Sequence, residues 1–324
     1  VSGTLARALL GLAVSAVAVV LVARQVDLDA AANVLHQARP WLVAATASFI
    51  CLDLAIRALR WRGILGPLAQ LPLPTVAASL LVGYLANNLL PARLGEVVRS
   101  HHLGHRTGVS RASVLGTVVV ERVVDTVVLV AIASGAILLL AVRGVLAGVI
   151  LVGLGVAGLL VAGLALALAV HRLPFAARVV AAIERWPGLR GAASRLREGL
   201  AVAGRPGTML PAVGRSVAAW GATIVAFAVA GQAIGVEMTW GQAALLASGT
   251  ALATAIPAGP GNLGTFELAA IEVAKVVGVA ADPAFALALL VHVAILAVTT
   301  AGGIAALLVA RGRVTVARTG MGVA

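Results

Sequence analysis

In 324 residues the chain holds 61% hydrophobic and only 11% charged side chains, with a mean hydropathy of +1.07. Soluble domains carry about 25% charged residues, so this composition excludes an ordinary soluble domain; without ten-residue alternation it also excludes a transmembrane barrel. The net charge of +12 would point to nucleic acid in a soluble protein, but in so apolar a chain loop arginines set orientation and meet anionic headgroups.

Residues 5–23 predict a first membrane span, read as a retained helix because no small-x-small cleavage site follows. Segment 24–39 balances Arg24 and Arg39 against Asp27 and Asp29, as an external loop would. A second span, 41–58, starts at an interfacial anchor, Trp41, and ends among Asp53, Arg57, Arg60 and Arg62 on the cytoplasmic side. Asp53 and Arg57 stand four apart and can pair on one helix face. For Arg57 and Arg60 two readings stand: snorkelling to the headgroups, or guanidinium forks for lipid phosphate.

Segment 73–90 is apolar but has arginine-rich flanks on both sides, so it cannot cross the membrane once. It is expected to enter from the inside, turn near Asn87, Asn88 and Pro91, and return as a re-entrant hairpin. Arg93, Gly95, Glu96 and Arg99 follow the break. His101, His102 and His105 read as part of a solvated loop rather than as a metal site. Span 112–141 carries Glu121, Arg122 and Asp125 a third of the way in, with Glu121 and Asp125 on one face. These groups either lock the helix as an internal ion pair or line a cavity and take up a proton; intramembrane carboxylates favour function.

Residues 145–170 predict a glycine-rich packing helix, and the basic linker 171–208 a cytoplasmic amphipathic hairpin between halves 1–170 and 209–324. In the second half a span at 211–235 precedes another broken apolar segment. Gly249 to Pro257 repeats the spacing of Gly83 to Pro91, and Leu263, Gly264 and Glu267 echo Leu94, Gly95 and Glu96. Paired interruptions in two halves point to a transport site. Gly259, Gly261 and Gly264 permit close backbone approach, the following helix start offers amides to an anion, and Glu267 sits where a cap would. A last span, 284–310, contains His292 and ends in Arg311, Arg313 and Arg318. The expected architecture is an all-α polytopic membrane domain: about six transmembrane helices plus two re-entrant hairpins entering from opposite faces, with both termini cytoplasmic. The single Cys51 offers no disulfide framework, and no metal or cofactor is expected.

Four stretches, RALRW (57–61), NNLLPARLGEVVR (87–99), ERVVD (121–125) and PAGPGNLGTFE (257–267), occur in order along nearly the whole chain. Together they resemble the lysylphosphatidylglycerol synthase transmembrane region, a flippase-like family. That resemblance implies a lipid flippase or scramblase of the plasma membrane, not an enzyme, moving an aminoacyl-phospholipid, a glycolipid or a polyprenyl-phosphate lipid. With no soluble aminoacyl-transfer domain in the sequence, synthesis of lysylphosphatidylglycerol by this chain is not expected. Arg57, Arg60, Asn87, Asn88, Arg93, Glu96, Arg99, Glu121, Arg122, Asp125, Asn262 and Glu267 are the candidate substrate-binding residues. Pro91, Gly95, Pro257, Gly259, Gly261 and Gly264 are the candidate hinges. Membrane lipids are the expected partners, with room for a homodimer or a lipid-modifying enzyme, and no nucleic acid. The alternatives are a membrane enzyme acting on a lipid-linked substrate and a scaffold for a glycosyltransferase.

Overall fold

The structure, a computed structural model, describes residues 2–90, 94–141, 145–169, 191–254 and 258–319. Pro91, Arg93, Pro257 and most of the basic linker lie outside the described residues. Twelve α-helices and two short 3-10 turns make up the described architecture. They are α1 (Ser2–Ala23), α2 (Leu28–His36), α3 (Pro40–Leu65), α4 (Leu73–Leu89), α5 (Gly95–Thr107) and α6 (Arg111–Leu139). There follow α7 (Val145–Ala169), α8 (Ala192–Leu200), α9 (Pro206–Ala233), α10 (Trp240–Ala253), α11 (Thr265–Val276) and α12 (Ala281–Thr319).

Local chemistry sets the boundaries. Pro40 opens α3, where a missing N–H costs nothing. Ser110 caps α6 by accepting from the Ser113 amide, and Thr239 with Gln242 forms a reciprocal capping box on α10. Segment 24–39 corrects the sequence reading. Asp27 accepts from the amides of Asp29 and Ala30 and starts α2, so a nine-residue helix, bent 85° from α1, replaces the expected loop.

Among the described residues four helices, 40–65, 111–139, 206–233 and 281–309, are long and apolar enough to cross a bilayer, or five if α1 and α2 count as one bent span. Helix α7 adds an apolar stretch, Leu151–Ala167. Large apolar side chains such as Leu52, Val119, Leu138, Leu159 and Val293 stand exposed around the outside. In water this would be a large sticky surface; in lipid it is the ordinary exterior.

The packing assigns ends. Helices α3 and α9 run antiparallel, because the Arg39 amide donates to the Ala233 carbonyl at one end while Ile64 packs with Val202 and Ala212 at the other. That second end also holds the start of α6, whose Ser113 donates to Glu198 of α8 at 2.9 Å. Arg62, Arg106, Arg111, Arg195, Arg197, Arg205 and Arg215 gather there. The opposite end, where Leu140 meets Gly241 and Gln242 donates to Val277 O, carries Asp27, Asp29, Glu237, Glu272 and Asp282 against Arg24, Arg39 and Lys275. One end is basic, the other mixed and mildly acidic.

Each broken segment is a helical hairpin. In the first, α4 leaves from the basic end and α5 returns to it, Gly104 packing on Arg111. In the second, α10 and α11 both have their outer ends at the acidic end. The hairpins therefore enter from opposite ends and meet tip to tip: the 260–262 turn packs against α4. Asn88 at the first tip donates to Thr299 and Thr300 of α12 at 2.8 and 3.0 Å.

Candidate functional site

Between the two tips lies a cavity of about 670 Å³. The residue pattern explains both its position and its polarity. A helix that stops in mid-bundle leaves backbone groups without partners, tolerable at this depth only against protein or a water-lined space. The first hairpin meets part of that demand itself, since Asn87 Oδ1 accepts from the Gly95 amide at 2.7 Å. The helix pair needs a glycine there, because a Cβ on Gly95 would come within 2.1 Å of Gly83 O. The second hairpin answers in kind: Glu267 Oε2 accepts from the Gly264 amide at 2.8 Å, and Gly264 sits at φ +82° in the left-handed region that favours glycine.

Behind one wall α3, α5 and α6 assemble an ion network. Arg57 Nε donates to both oxygens of Asp53 at 2.8 Å, and its Nη1 reaches Asp125 at 3.4 Å. Arg60 bridges Glu121 at 2.9 Å and both oxygens of Asp125. Arg99 meets Glu121 at 3.2 Å and stacks on Trp61 with its carbon 4.7 Å from the ring centre. Arg122 pairs with Glu96 at 3.7 Å and Glu121 at 4.0 Å. Four arginines (57, 60, 99, 122) thus face four carboxylates (53, 96, 121, 125), and the network is neutral when all are ionised. Ionised groups this deep persist only when paired and hydrogen-bonded.

The network has a dry side and a cavity side. Glu121 and Arg60 have no accessible surface and Arg99 almost none. They hold α3, α5 and α6 together and do not line the cavity. Arg57, Asn87, Asn88, Arg122 and Asp125 do line it, together with Gly259, Gly261 and Asn262 from the second hairpin. Glu96 and Gly95 sit in a small recess next to it with Arg99 and Arg122.

Sequence reading missed three contributors. Ser216 and Trp220 of α9 both donate to Asp125, at 3.3 and 3.2 Å, and Arg57 stacks over the Trp220 ring at 4.4 Å. His292 of α12, noted only in passing from the sequence, lines the cavity and bridges Glu267 and the Gly261 carbonyl.

The acidic side chains that line the cavity are engaged, and the arginines beside them keep N–H groups in reserve. The Asp125 oxygens already accept from Arg57, Arg60, Ser216 and Trp220, and those of Asp53 from Arg57. Arg122, by contrast, has ion pairs but no hydrogen bond among the described residues, with a buried Nε lacking a partner and 35% of its side chain accessible. Such a wall suits an acceptor-rich ligand. The rest of the cavity is apolar, built from Leu54, Leu129, Phe227 and Ile295, with Val152, Val156 and Leu160 of α7 closing one flank. No group of three or more metal-ligating side chains occurs among the described residues.

These features define a polytopic helical membrane protein with a cavity, polar on one wall, where two inverted hairpins meet. Residues 8–303 match the family described as Lysylphosphatidylglycerol synthase TM region, and the chain belongs to that family. A 135-residue stretch, 41% of the chain, is 28% identical to Glycosyltransferase AglD of Haloferax volcanii. That stretch spans 22% of the length of the archaeal protein. No solved structure matches the chain.

Proposed function

We propose that the protein is a flippase or scramblase of the plasma membrane, and not an enzyme, carrying a phosphate-bearing polar lipid between leaflets through this cavity. A bare headgroup cannot cross roughly 30 Å of hydrocarbon without losing its hydration, and a donor-lined cavity lowers that cost. The observation that carries the reading is the state of the wall: Asp53 and Asp125 already engaged by arginine, Arg57 and Arg122 presented to the cavity, and Asn87 and Asn88 at the tip beside them. Guanidinium forks match phosphate oxygens, while the apolar flank at α7 suits the acyl or prenyl chains. The volume of about 670 Å³ falls within the range of small-molecule sites, about 300–1,000 Å³. By the positive-inside rule the basic end, and with it both termini, belongs in the cytoplasm.

Leaflet exchange of fluorescent phosphatidylglycerol, its lysyl form and a polyprenyl phosphate in proteoliposomes tests this. Wild type is expected to move at least one of them, and Arg122→Gln to slow that movement by at least about tenfold, the loss of one charge-assisted contact. Folded wild-type protein that moves none of the three sinks the proposal. The partial likeness to a glycosyltransferase favours one further reading, in which the cargo is a lipid-linked sugar handed on by an enzyme partner; a polyprenyl-phosphate sugar belongs in the same panel.

A further inference from the structure

The pair formed by Glu267 and His292 is not needed to hold a phosphate, yet it sits where the second hairpin turns. His292 Nδ1 lies 2.5 Å from Glu267 Oε1, and its Nε2 lies 2.8 Å from the Gly261 carbonyl oxygen. Phe266 stacks on the imidazole at 4.4 Å, and both members of the pair are buried. A carbonyl oxygen only accepts, so Nε2 carries a hydrogen. The contact between Nδ1 and Oε1 then requires a second proton between them, on the ring as imidazolium against carboxylate or on the carboxyl against neutral imidazole. Either way the pair is neutral and holds one shared proton.

Removal of that proton leaves the ring one N–H for two acceptors. Either the Glu267 contact or the Gly261 contact must then be lost, since two lone pairs cannot face each other at hydrogen-bonding distance. Both contacts belong to one short turn. Glu267 also accepts from the Gly264 amide, and Gly259 N donates to Ser15 of α1 at 2.9 Å. Gly261 lines the cavity and packs beside Asn88 of the first tip.

We infer that Glu267 and His292 form a proton-binding site whose discharge releases the 259–264 turn at the mouth of the cavity, so that proton occupancy sets the conformation of the second hairpin. The site deepens the transport reading and, for its coupling role, rests on it. The ionisable groups that line the cavity with it are Asp53, Arg57, Arg122 and Asp125, each already in an ion pair, and the Tyr84 phenol. Among the described side chains of its own helices the others are spent at the outer end, Lys275 on Glu272 and Asp282 on the Asp27 amide. From the remaining packed elements α1 presents Ser15 and Val19, α4 presents Asn88, and α9 presents Phe227. The pair is therefore the group at the turn with a proton to exchange.

Hydrogen exchange read by mass spectrometry on peptides covering 258–268, in nanodiscs and corrected for the intrinsic pH dependence of exchange, tests the site without requiring transport. Measured from about pH 5 to pH 9, wild type is expected to lose at least about tenfold protection in this turn when the shared proton leaves. In Glu267→Gln the amide donates to Nδ1 and still accepts from Gly264, so both contacts persist without a labile proton and the response should vanish. His292→Gln removes the shared proton from the other side of the pair and should flatten the profile as well. A wild-type turn equally protected across the range, or an unchanged response in both variants, overturns the inference. In proteoliposomes the acceleration of lipid exchange by a pH gradient should be present in wild type and absent in Glu267→Gln. Should wild type move no lipid while the exchange pattern holds, the transport reading falls and the proton site stands.

Discussion

Replacing Glu121 with glutamine probes the ion network where it is driest. Glu121 has no accessible surface and stands 2.9 Å from Arg60 and 3.2 Å from Arg99. At an effective dielectric of about 20 each such pair is worth roughly 5 kcal/mol of Coulomb attraction, most of it offset by desolvation. Deleting the charge while leaving both arginines buried turns a neutral network into one carrying net positive charge, and breaking a buried pair this way costs about 3–5 kcal/mol. The shape is conserved, so packing loss is small. Arg60 retains Asp125, whereas Arg99 loses its carboxylate partner; removing Arg99 as well should restore neutrality. The double variant Glu121→Gln, Arg99→Gln is therefore predicted to recover about 2 kcal/mol or more of the loss, a coupling within the range for contacting residues. Reversible unfolding in mixed detergent micelles, run on the two single variants and the double, completes the cycle. A cost below about 1 kcal/mol for Glu121→Gln, or strict additivity in the double, would refute the claim that these charges depend on one another.

Other outcomes follow from the same geometry. Gly95→Ala puts a Cβ 2.1 Å from Gly83 O and 2.5 Å from Asn87 Oδ1, so α4 and α5 must part; overpacking of this kind costs about 1–3 kcal/mol and should expose the first hairpin to protease. On the polar helix α5, burial and then the nearby Arg106 hold His102 below its usual value of 6.5. The unfolded chain then binds a proton first, so its stabilising contribution is complete above 6.5 and falls as the pH drops from there toward the depressed value. His102→Asn should abolish that slope in a pH series of unfolding midpoints. Arg57→Lys keeps the charge but loses the Nε contact with Asp53 and the stacking on Trp220, so lipid exchange should fall nearly as far as in Arg57→Ala; full activity in the lysine variant contradicts a fork-type contact with the headgroup.

The hairpins were legible because the signals that break a membrane helix are local. Asparagine pairs, prolines and clustered glycines interrupt apolar runs at 87–95 and 257–264, and arginines on both flanks of 73–90 rule out a single crossing. The ionisable residues stood out for the same reason, being expensive at that depth. Their partners did not. Arg60 and Asp125 are 65 residues apart and Arg99 and Glu121 are 22 apart, and nothing within one helix says which pairs meet. Reading Arg57, Arg60, Arg99 and Arg122 alike as substrate ligands therefore did not separate Arg57 and Arg122, on the cavity, from Arg60 and Arg99, sealed behind it. Ser216 and Trp220 went unremarked because a serine or tryptophan in an apolar helix reads as packing. His292 has a faint signal, the one histidine in the last span, but its meaning depends on Glu267 arriving from another helix. Helix α2 was missed although Asp27 and Asp29 before an alanine run spell a helix start; the balance of charge was weighted instead.

The central claim is that the headgroup travels through the cavity between the hairpin tips, and a plug tests it most directly. Thr223 lines that cavity from α9, and its hydroxyl bonds only back to Ala219 O, so Thr223→Trp fills space without removing a member of the ion network. Val119, exposed on the outer face of α6, gives the matched control Val119→Trp. Measured side by side for leaflet exchange in proteoliposomes, the plugged variant should lose at least about tenfold in rate, a barrier increase of about 1.4 kcal/mol or more, while the control keeps the wild-type rate. Equal rates in a folded Thr223→Trp protein and in wild type would place the route elsewhere and contradict the account.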